Sequence, residues 1–241
     1  MRFGMELKKL RRTGYFPAFP AGAAAASAFP ILNMAVRTEV YTGLPGNPLD
    51  ILLDASWQMM AMLNILLIVC CTCMMYHTEY AENGIQKMEV LPVRQISLFL
   101  RKFLITTAMA ALVIMIEFAA LAFCILMWFP DAGIDLKEFL CHWSFEVILL
   151  LPTIMVSLII ASACRNMWIS LGIGVILVFT FSVLPKDYLF LDLCPYCSPY
   201  QLLTAAEENG HAALFLGVCI GETALAGMAE HIYLKIRRYF S

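Results

Sequence analysis

Six apolar runs dominate the sequence, and they occupy residues 13–36, 55–76, 103–129, 147–164, 167–185 and 211–234. A helix needs about 20 predominantly apolar residues to cross the hydrocarbon core of a bilayer, because it rises only about 1.5 Å per residue. Hydrophobic residues make up 61% of the chain and charged residues 14%, a balance that excludes an ordinary soluble globular protein. The sequence therefore predicts an all-α membrane protein with six transmembrane helices, in one domain over residues 1–241.

The basic residues are distributed unevenly between the two sides of such a bundle. With both termini placed inside, only Arg37, Lys137 and Lys186 of the 16 lysines and arginines fall on the outer side. Lysine and arginine concentrate in the cytoplasmic segments of membrane proteins. The sequence therefore predicts that both the N-terminus and the C-terminus are cytoplasmic. Residues 1–12, which are basic and amphipathic, are expected to form an interfacial helix.

The polar interval over residues 77–102 contains a pattern that favours a protein partner. Ile85, Met88 and Leu91 recur every three residues, which predicts one apolar face on a short cytoplasmic helix between spans two and three. An apolar face with polar flanks suits docking onto a soluble protein. The alternative is an ordinary cytoplasmic loop whose charges keep it in water.

The same interval resembles the coupling segment of ABC-2 type exporter permeases, and it looks like the small permeases of lantibiotic-immunity and bacitracin-resistance transporters. The resemblance rests mainly on Glu79, Glu82, Gly84, Lys87, the run Leu91-Pro92-Val93-Arg94 and Lys102. In that family the segment docks into a groove on a separate ATP-binding subunit. The resemblance implies that the residues of this chain that contact the ATPase are Glu79, Glu82, Gly84, Ile85, Lys87, Met88, Leu91, Pro92 and Arg94.

The chain has no sequence of the form G-x-x-x-x-G-K-[ST]. That loop supplies the backbone cradle and the lysine that hold the phosphates of ATP. No cofactor is therefore expected on this chain, and ATP and Mg²⁺ are expected on the partner ATPase. The resemblance implies two copies of that ATPase and a second permease, identical or homologous. It also implies a multi-pass protein of the bacterial cytoplasmic membrane, with no nucleic-acid partner.

The resemblance further implies a transport subunit that is not itself an enzyme. Its substrate would be an antimicrobial, lantibiotic-like peptide, moved out of the membrane for self-protection or resistance. Two other classes stay open. One is a membrane-embedded peptide sensor that signals without pumping. The other is an intramembrane enzyme, for which the sequence offers two isolated glutamates and no nucleophile–base pair or metal cluster, so no metal site is expected.

Polar residues interrupt the apolar runs at Asn64, Glu117 and Glu222. A charged side chain at the centre of a membrane costs about 2.5–3.5 kcal/mol on insertion scales, so it normally faces the protein interior or water. These three residues are candidates for a substrate path, and hydrogen bonding within the bundle is the structural alternative. Glu146 is expected near the outer interface and Glu230 near the cytoplasmic one.

The interval over residues 185–210 is long for a connection, so it is expected to hold structure on the extracellular side. Ser198 begins a capping box that predicts a helix over about residues 199–208. Cys194 and Cys197 lie in the same interval, where a local disulfide, free thiols and adventitious metal binding all stay open. Their Cys-Pro-Tyr-Cys sequence matches glutaredoxins, but the interval has no room for a thioredoxin-like fold.

Overall fold

The computed structural model describes residues 10–11, 14–81, 95–130, 133–164, 166–184 and 189–240. The predicted interfacial helix over residues 1–12 lies almost entirely outside these ranges. The elements, in chain order, are α1 (Tyr15–Thr42), α2 (Pro48–Ala81), α3 (Gln95–Trp128), α4 (Leu136–Ala163), α5 (Met167–Val183), α6 (Leu189–Asp192), a 3₁₀ turn (Ser198–Tyr200), α7 (Leu203–Glu208) and α8 (Ala212–Phe240).

The predicted all-α class is confirmed for the described residues, where every element is a helix. Five helices, α1, α2, α3, α4 and α8, are long and apolar enough to cross a membrane. The fifth predicted span corresponds to α5, which has 17 residues and is shorter than the others. The structure therefore contains a bundle of five membrane-length helices and one shorter apolar helix.

Most of the long helices extend beyond the apolar runs that predict them. α4 begins at Leu136 rather than near residue 147, because Asp135 caps its first turn by accepting a 2.9 Å hydrogen bond from the backbone N–H of Lys137. α1, α2, α3 and α8 also start earlier or end later than their runs. Hydropathy marks the part of a helix that suits hydrocarbon, and polar turns at its ends remain helical.

Helix α2 occupies the centre of the bundle, where it packs against α1, α3, α4 and α5. In the most apolar stretch of α2, 61% of the residues are buried, whereas in that of α8 only 11% are buried. The reason is that α8 makes most of its helix contacts with α4. We call the end where α1 ends at Thr42 and α2 begins at Pro48 the upper end. The end where α2 finishes at Ala81 and α3 begins at Gln95 is the lower end.

Two glycines allow neighbouring helices to approach α2 closely. A Cβ atom at Gly22 of α1 would lie 2.6 Å from a methyl carbon of Leu67, and one at Gly174 of α5 would overlap a methyl group of Val69. Any side chain at these positions would push α1 or α5 away from α2. Small residues at helix contacts are a common means of close packing in membranes, where lipid removes the hydrophobic drive for helices to associate.

The segment over residues 194–200 enters the upper end of the bundle instead of covering its surface. Tyr196, Ser198 and Tyr200 are all buried, and the 3₁₀ turn packs against α2 and α4. The ring of Tyr196 stacks on Phe181 of α5 with 6.2 Å between the ring centroids. We call residues 194–200 the upper plug.

Side chains of the helices satisfy the backbone carbonyl groups of the upper plug. The indole Nε1 of Trp57 donates a 3.0 Å hydrogen bond to the carbonyl oxygen of Pro199. The hydroxyl of Thr153 donates to the carbonyl oxygen of Pro195. In membrane proteins, non-helical backbone is tolerated among the spanning helices only where protein or water satisfies its polar groups. In this protein, Trp57 on α2 and Thr153 on α4 donate hydrogen bonds to two carbonyl oxygens of the plug.

Two details of the prediction for this interval are wrong. The Ser198 hydroxyl does not cap a helix, because it donates a 3.2 Å hydrogen bond to the carbonyl oxygen of Leu149 on α4. The α-helix consequently begins at Leu203, after the 3₁₀ turn, rather than at residue 199. Cys194 and Cys197 are not joined to each other by a disulfide in this structure.

Candidate functional site

Two of the three predicted path residues meet near the middle of the bundle. The Nδ2 amide of Asn64 on α2 donates a 2.9 Å hydrogen bond to Oε2 of Glu117 on α3. Asn64 is 3% exposed and Glu117 is fully buried. The hydrogen bond therefore joins α2 to α3 in a part of the protein that solvent does not reach.

A further carboxyl group, that of Glu146 on α4, belongs to the same region. Glu146 is 1% exposed and is close enough to Glu117 for the two carboxyl groups to interact electrostatically. The expected place of Glu146 near the outer interface stays a prediction, whereas its burial among the helices is a finding that was not anticipated from the sequence. Because α4 starts at Leu136, Glu146 lies about three helical turns inside it. The sequence signal that could have found it is the apolar stretch on both sides of the residue.

We call Asn64, Glu117 and Glu146 the carboxyl cluster. Within the part of the chain that the structure describes, Oε1 of Glu117 and both carboxyl oxygens of Glu146 have no hydrogen-bond partner. An ionised carboxylate buried without a partner costs on the order of several kcal/mol, and two of them repel each other. The cluster is therefore suited to holding a proton or to binding a cationic group that enters between α2, α3 and α4.

The third predicted path residue, Glu222, lies apart from this cluster. It is half-buried on α8, and its Oε2 atom is enclosed without a hydrogen-bond partner among the described residues. Its carboxyl group interacts with the thiol of Cys194 in the upper plug. Burial and the nearby Glu222 raise the pKa of that thiol. Glu222 thus lies beside the upper plug, on the helix with the least buried central stretch.

A second polar site lies at the lower end, around an ion pair. The Nζ atom of Lys102 on α3 lies 2.5 Å from Oε2 of Glu79 on α2, and both side chains are buried. The same Nζ atom lies 3.6 Å from the centre of the Tyr76 ring, a cation–π contact. The ion pair connects the last turns of α2 to the first turns of α3.

Of the nine residues predicted to contact an ATPase, Glu79 is the one that the structure describes. The other eight, Glu82, Gly84, Ile85, Lys87, Met88, Leu91, Pro92 and Arg94, lie outside the described residues. The ion pair of Glu79 nevertheless fixes where the flanking helices α2 and α3 enter the lower end. It therefore restrains the two helix ends that flank residues 82–94 in the sequence.

Glu230 of α8 joins the same end of the bundle, and its expected place near the cytoplasmic interface stays a prediction. Its side chain is 2% exposed, because it packs against α4. The Ser162 hydroxyl of α4 donates a 2.9 Å hydrogen bond to Oε1 of Glu230, and the Tyr80 hydroxyl donates to the Ser162 carbonyl oxygen. These contacts link α2, α4 and α8.

We call this second site the lower-end network, and it consists of Tyr76, Glu79, Tyr80, Lys102, Ser162 and Glu230. Tyr76 lies within electrostatic reach of both Glu79 and Glu230. The network therefore spans four helices at the end of the bundle that carries residues 82–94. Because these contacts join the four helices, a displacement of α2 or α3 at this end would also move α4 and α8.

The comparison with protein families gives one match. Residues 3–181 match the family described as "ABC-2 family transporter protein". The chain has no match among curated proteins and none among solved structures. The matched range includes the carboxyl cluster and the Glu79–Lys102 ion pair. The chain therefore belongs to the ABC-2 transporter family, whose members are membrane permease subunits that work with an ABC ATPase.

Proposed function

We propose that this chain is the permease of an ATP-driven exporter that removes a cationic, lantibiotic-like antimicrobial peptide from a bacterial cytoplasmic membrane. The observation that carries the proposal is the carboxyl cluster, whose oxygens at Glu117 and Glu146 lack hydrogen-bond partners among the described residues. Buried acidic groups within a membrane domain attract cations that can replace the missing partners. A peptide with several positive charges and an apolar face meets both requirements of such a site.

The proposed route into the bundle runs along α8. This helix packs mainly on α4, and apolar side chains such as Leu225 and Met228 are exposed on it. Glu222 lies on the same helix with one enclosed oxygen that lacks a described hydrogen-bond partner. A peptide that is partly inserted in the lipid would meet Glu222 before it reaches Glu117 and Glu146.

In this proposal the chain crosses the membrane six times, with both termini and the lower end in the cytoplasm. A 17-residue α5 is about 26 Å long, a few ångströms short of the roughly 30 Å hydrocarbon core. The upper plug packs beside the end of α5 through Tyr196 and Phe181. It would fill the few ångströms of hydrocarbon core that α5 does not span. Two ATPase subunits and a second permease, identical or homologous, would complete the transporter.

The proposed coupling begins at residues 82–94, which would dock on the ATPase. Closure of the ATPase would push on this segment and displace the adjoining ends of α2 and α3, which Glu79 and Lys102 hold together. Glu79 lies about 22 Å along α2 from Asn64. Because the ion pair makes α2 and α3 move together, this displacement would shift Asn64 and Glu117 away from Glu146 on α4 and open the carboxyl cluster to a cationic group.

The experiment compares Glu117→Gln with the matched control Glu39→Gln, a carboxyl that is exposed on α1. Each permease is reconstituted with its ATPase in liposomes that contain a fluorescent cationic peptide. Glutamine keeps the size of Glu117 and can still accept the hydrogen bond from Asn64. We expect Glu117→Gln to assemble normally and to lose at least about 90% of ATP-dependent peptide removal, while the control keeps it.

Two results would contradict the proposal. Peptide removal at the normal rate by Glu117→Gln would show that the cluster does not bind the substrate. ATP hydrolysis that responds to peptide while all of the peptide stays in the membrane would favour a sensor that signals without pumping.

A further inference from the structure

Three side chains of the kind that bind metals converge at the upper end, on helices α2 and α4. They are Asp50, Glu138 and His142, and one ligand atom from each lies within 4.8 Å of the other two. These residues belong to neither the carboxyl cluster nor the lower-end network. They play no part in the proposed binding of a peptide.

The sequence folds so that these three residues meet. Glu138 and His142 are four residues apart on α4, a spacing that places both on one face of a helix. Asp50 lies in the first turn of α2. Just before that turn, the side-chain amide of Asn47 donates a hydrogen bond to Oε1 of Glu138, which holds the starts of the two helices together.

His142 is buried without a hydrogen bond among the residues that the structure describes. It is 2% exposed, and its Nδ1 atom has no partner. Its Nε2 atom points at Oδ1 of Asp50 over 3.8 Å, which is too long for a hydrogen bond. Oδ1 of Asp50 is likewise buried without a hydrogen-bond partner. A buried carboxylate oxygen without a partner is unfavourable, so a cation bound between Oδ1 of Asp50 and Nε2 of His142 would supply the partner that Oδ1 lacks.

We propose that Asp50, Glu138 and His142 bind one divalent transition-metal ion, with zinc as the best match to the donor atoms. Zinc binds imidazole nitrogen and carboxylate oxygen at about 2.0–2.2 Å in tetrahedral geometry, so two of its ligands lie about 3.3–3.6 Å apart. Nε2 of His142 and Oδ1 of Asp50 lie 3.8 Å apart, so a movement of a few tenths of an ångström brings them to that separation. Calcium and magnesium prefer sites made of oxygen alone, which an imidazole does not suit.

The surroundings of the three ligands favour a cation. Asp54, Glu207 and Glu208 all lie within electrostatic reach of Asp50, and Glu207 also lies within reach of His142. Carboxylates grouped in this way raise the local concentration of positive ions.

The bound ion would connect the start of α2 to the start of α4. Asn64 lies further along α2 and Glu146 further along α4, so the ion would restrain the separation of two helices that carry the carboxyl cluster. The site is open on one side, because Asp50 and Glu138 are only partly buried. Metal from the solution at the upper end can therefore reach it without passing through the bundle.

The experiment measures metal binding by the full-length permease in nanodiscs, after removal of metals with a chelator. Cobalt(II) is titrated first, because its visible absorption reports on the ligands, and zinc is then added to displace it. We expect one ion per chain, with a spectrum of nitrogen and oxygen ligands. His142→Gln should weaken zinc binding at least about 100-fold, more than the 10–100-fold loss typical of outer-shell changes.

The matched control is His231→Gln, which removes an exposed imidazole from α8 and should leave binding unchanged. Glu138→Gln, a change at a partly exposed position, provides the second test and decides the matter if His142→Gln does not fold. The proposal is overturned by unchanged zinc affinity in these ligand variants, or by no binding at micromolar zinc. An intense cobalt–thiolate band would also overturn it, because the ion would then be bound by cysteine. None of these results depends on whether the protein moves peptides.

Discussion

Lys102 and Glu79 form a buried ion pair between α3 and α2, with 2.5 Å between Nζ and Oε2. A buried pair of this kind fixes the relative position of two helices, because either charge alone would be strongly disfavoured. In this protein the pair joins the last turns of α2 to the first turns of α3. The position suits a joint that transmits force from residues 82–94 to the membrane helices.

Lys102→Met removes the cation and leaves the Glu79 carboxylate buried beside the ring of Tyr76. We expect a loss of about 3–5 kcal/mol in the free energy of unfolding, as for other broken buried pairs. Unfolding in detergent, followed by circular dichroism, measures the change. The double variant Lys102→Met with Glu79→Gln should recover much of the loss, and Lys235→Met, at an exposed lysine of α8, should change little. Equal stability of Lys102→Met and the wild type would contradict this reading.

Asn64→Leu tests the hydrogen bond in the carboxyl cluster. The change takes the amide donor away from Oε2 of Glu117, a fully buried group, and should cost about 1–3 kcal/mol in the free energy of unfolding. A double-mutant cycle with Glu117→Gln isolates the interaction between the two side chains. We expect a coupling energy of about 0.5–2 kcal/mol. Additive effects of the two changes would mean that the hydrogen bond contributes no stability.

Gly174→Ala tests the close contact between α5 and α2. The added methyl group would overlap Val69, whereas a Cβ atom at Gly172 on the same helix meets nothing within 4 Å. We expect Gly174→Ala to lose about 1–3 kcal/mol through overpacking. Gly172→Ala should be neutral or slightly stabilising, because alanine favours helix. Thermal unfolding of the two variants compares them directly, and identical midpoints would argue against the tight α2–α5 contact.

Thr153→Val tests the upper plug with a side chain of nearly the same shape. The change leaves the Pro195 carbonyl oxygen without the hydroxyl that donates to it. We expect the plug to open, so that a maleimide labels Cys197 several-fold faster in a protein whose other cysteines are replaced by alanine. Thr78→Val is the control, since the Thr78 hydroxyl bonds only to a carbonyl of its own helix, that of Met75. No change in the labelling rate of Cys197 would show that Thr153 does not hold the plug.

The fold was largely predictable because long apolar runs leave few alternatives to membrane helices. Glu117 and Asn64 were also identified, since polar residues inside such runs stand out. Their pairing was not predictable, because it depends on which helices become neighbours and how each is rotated. Sequence order alone does not contain that information.

Burial within the bundle was harder to predict than the helices themselves. The burial of Glu146 and Glu230 among the helices was not anticipated, because helix ends were inferred from hydropathy, while capping at Asp135 and the continuation of α8 extend the helices. The burial of the upper plug was not anticipated either. Its polar backbone is buried only because the side chains of Trp57 and Thr153 on other helices satisfy it, and no local pattern reports such contacts.

We propose that the chain works as a permease whose segment over residues 82–94 receives force from an ATPase. This coupling is tested by replacing Met88, in the predicted apolar stripe of that segment, with aspartate and measuring peptide-stimulated ATP hydrolysis by the complex after mild detergent extraction. An aspartate in a desolvated contact costs on the order of several kcal/mol. The account predicts that Met88→Asp reaches the membrane at normal abundance, no longer co-elutes with the ATPase and shows no stimulation by peptide. An intact complex with normal stimulation would contradict it.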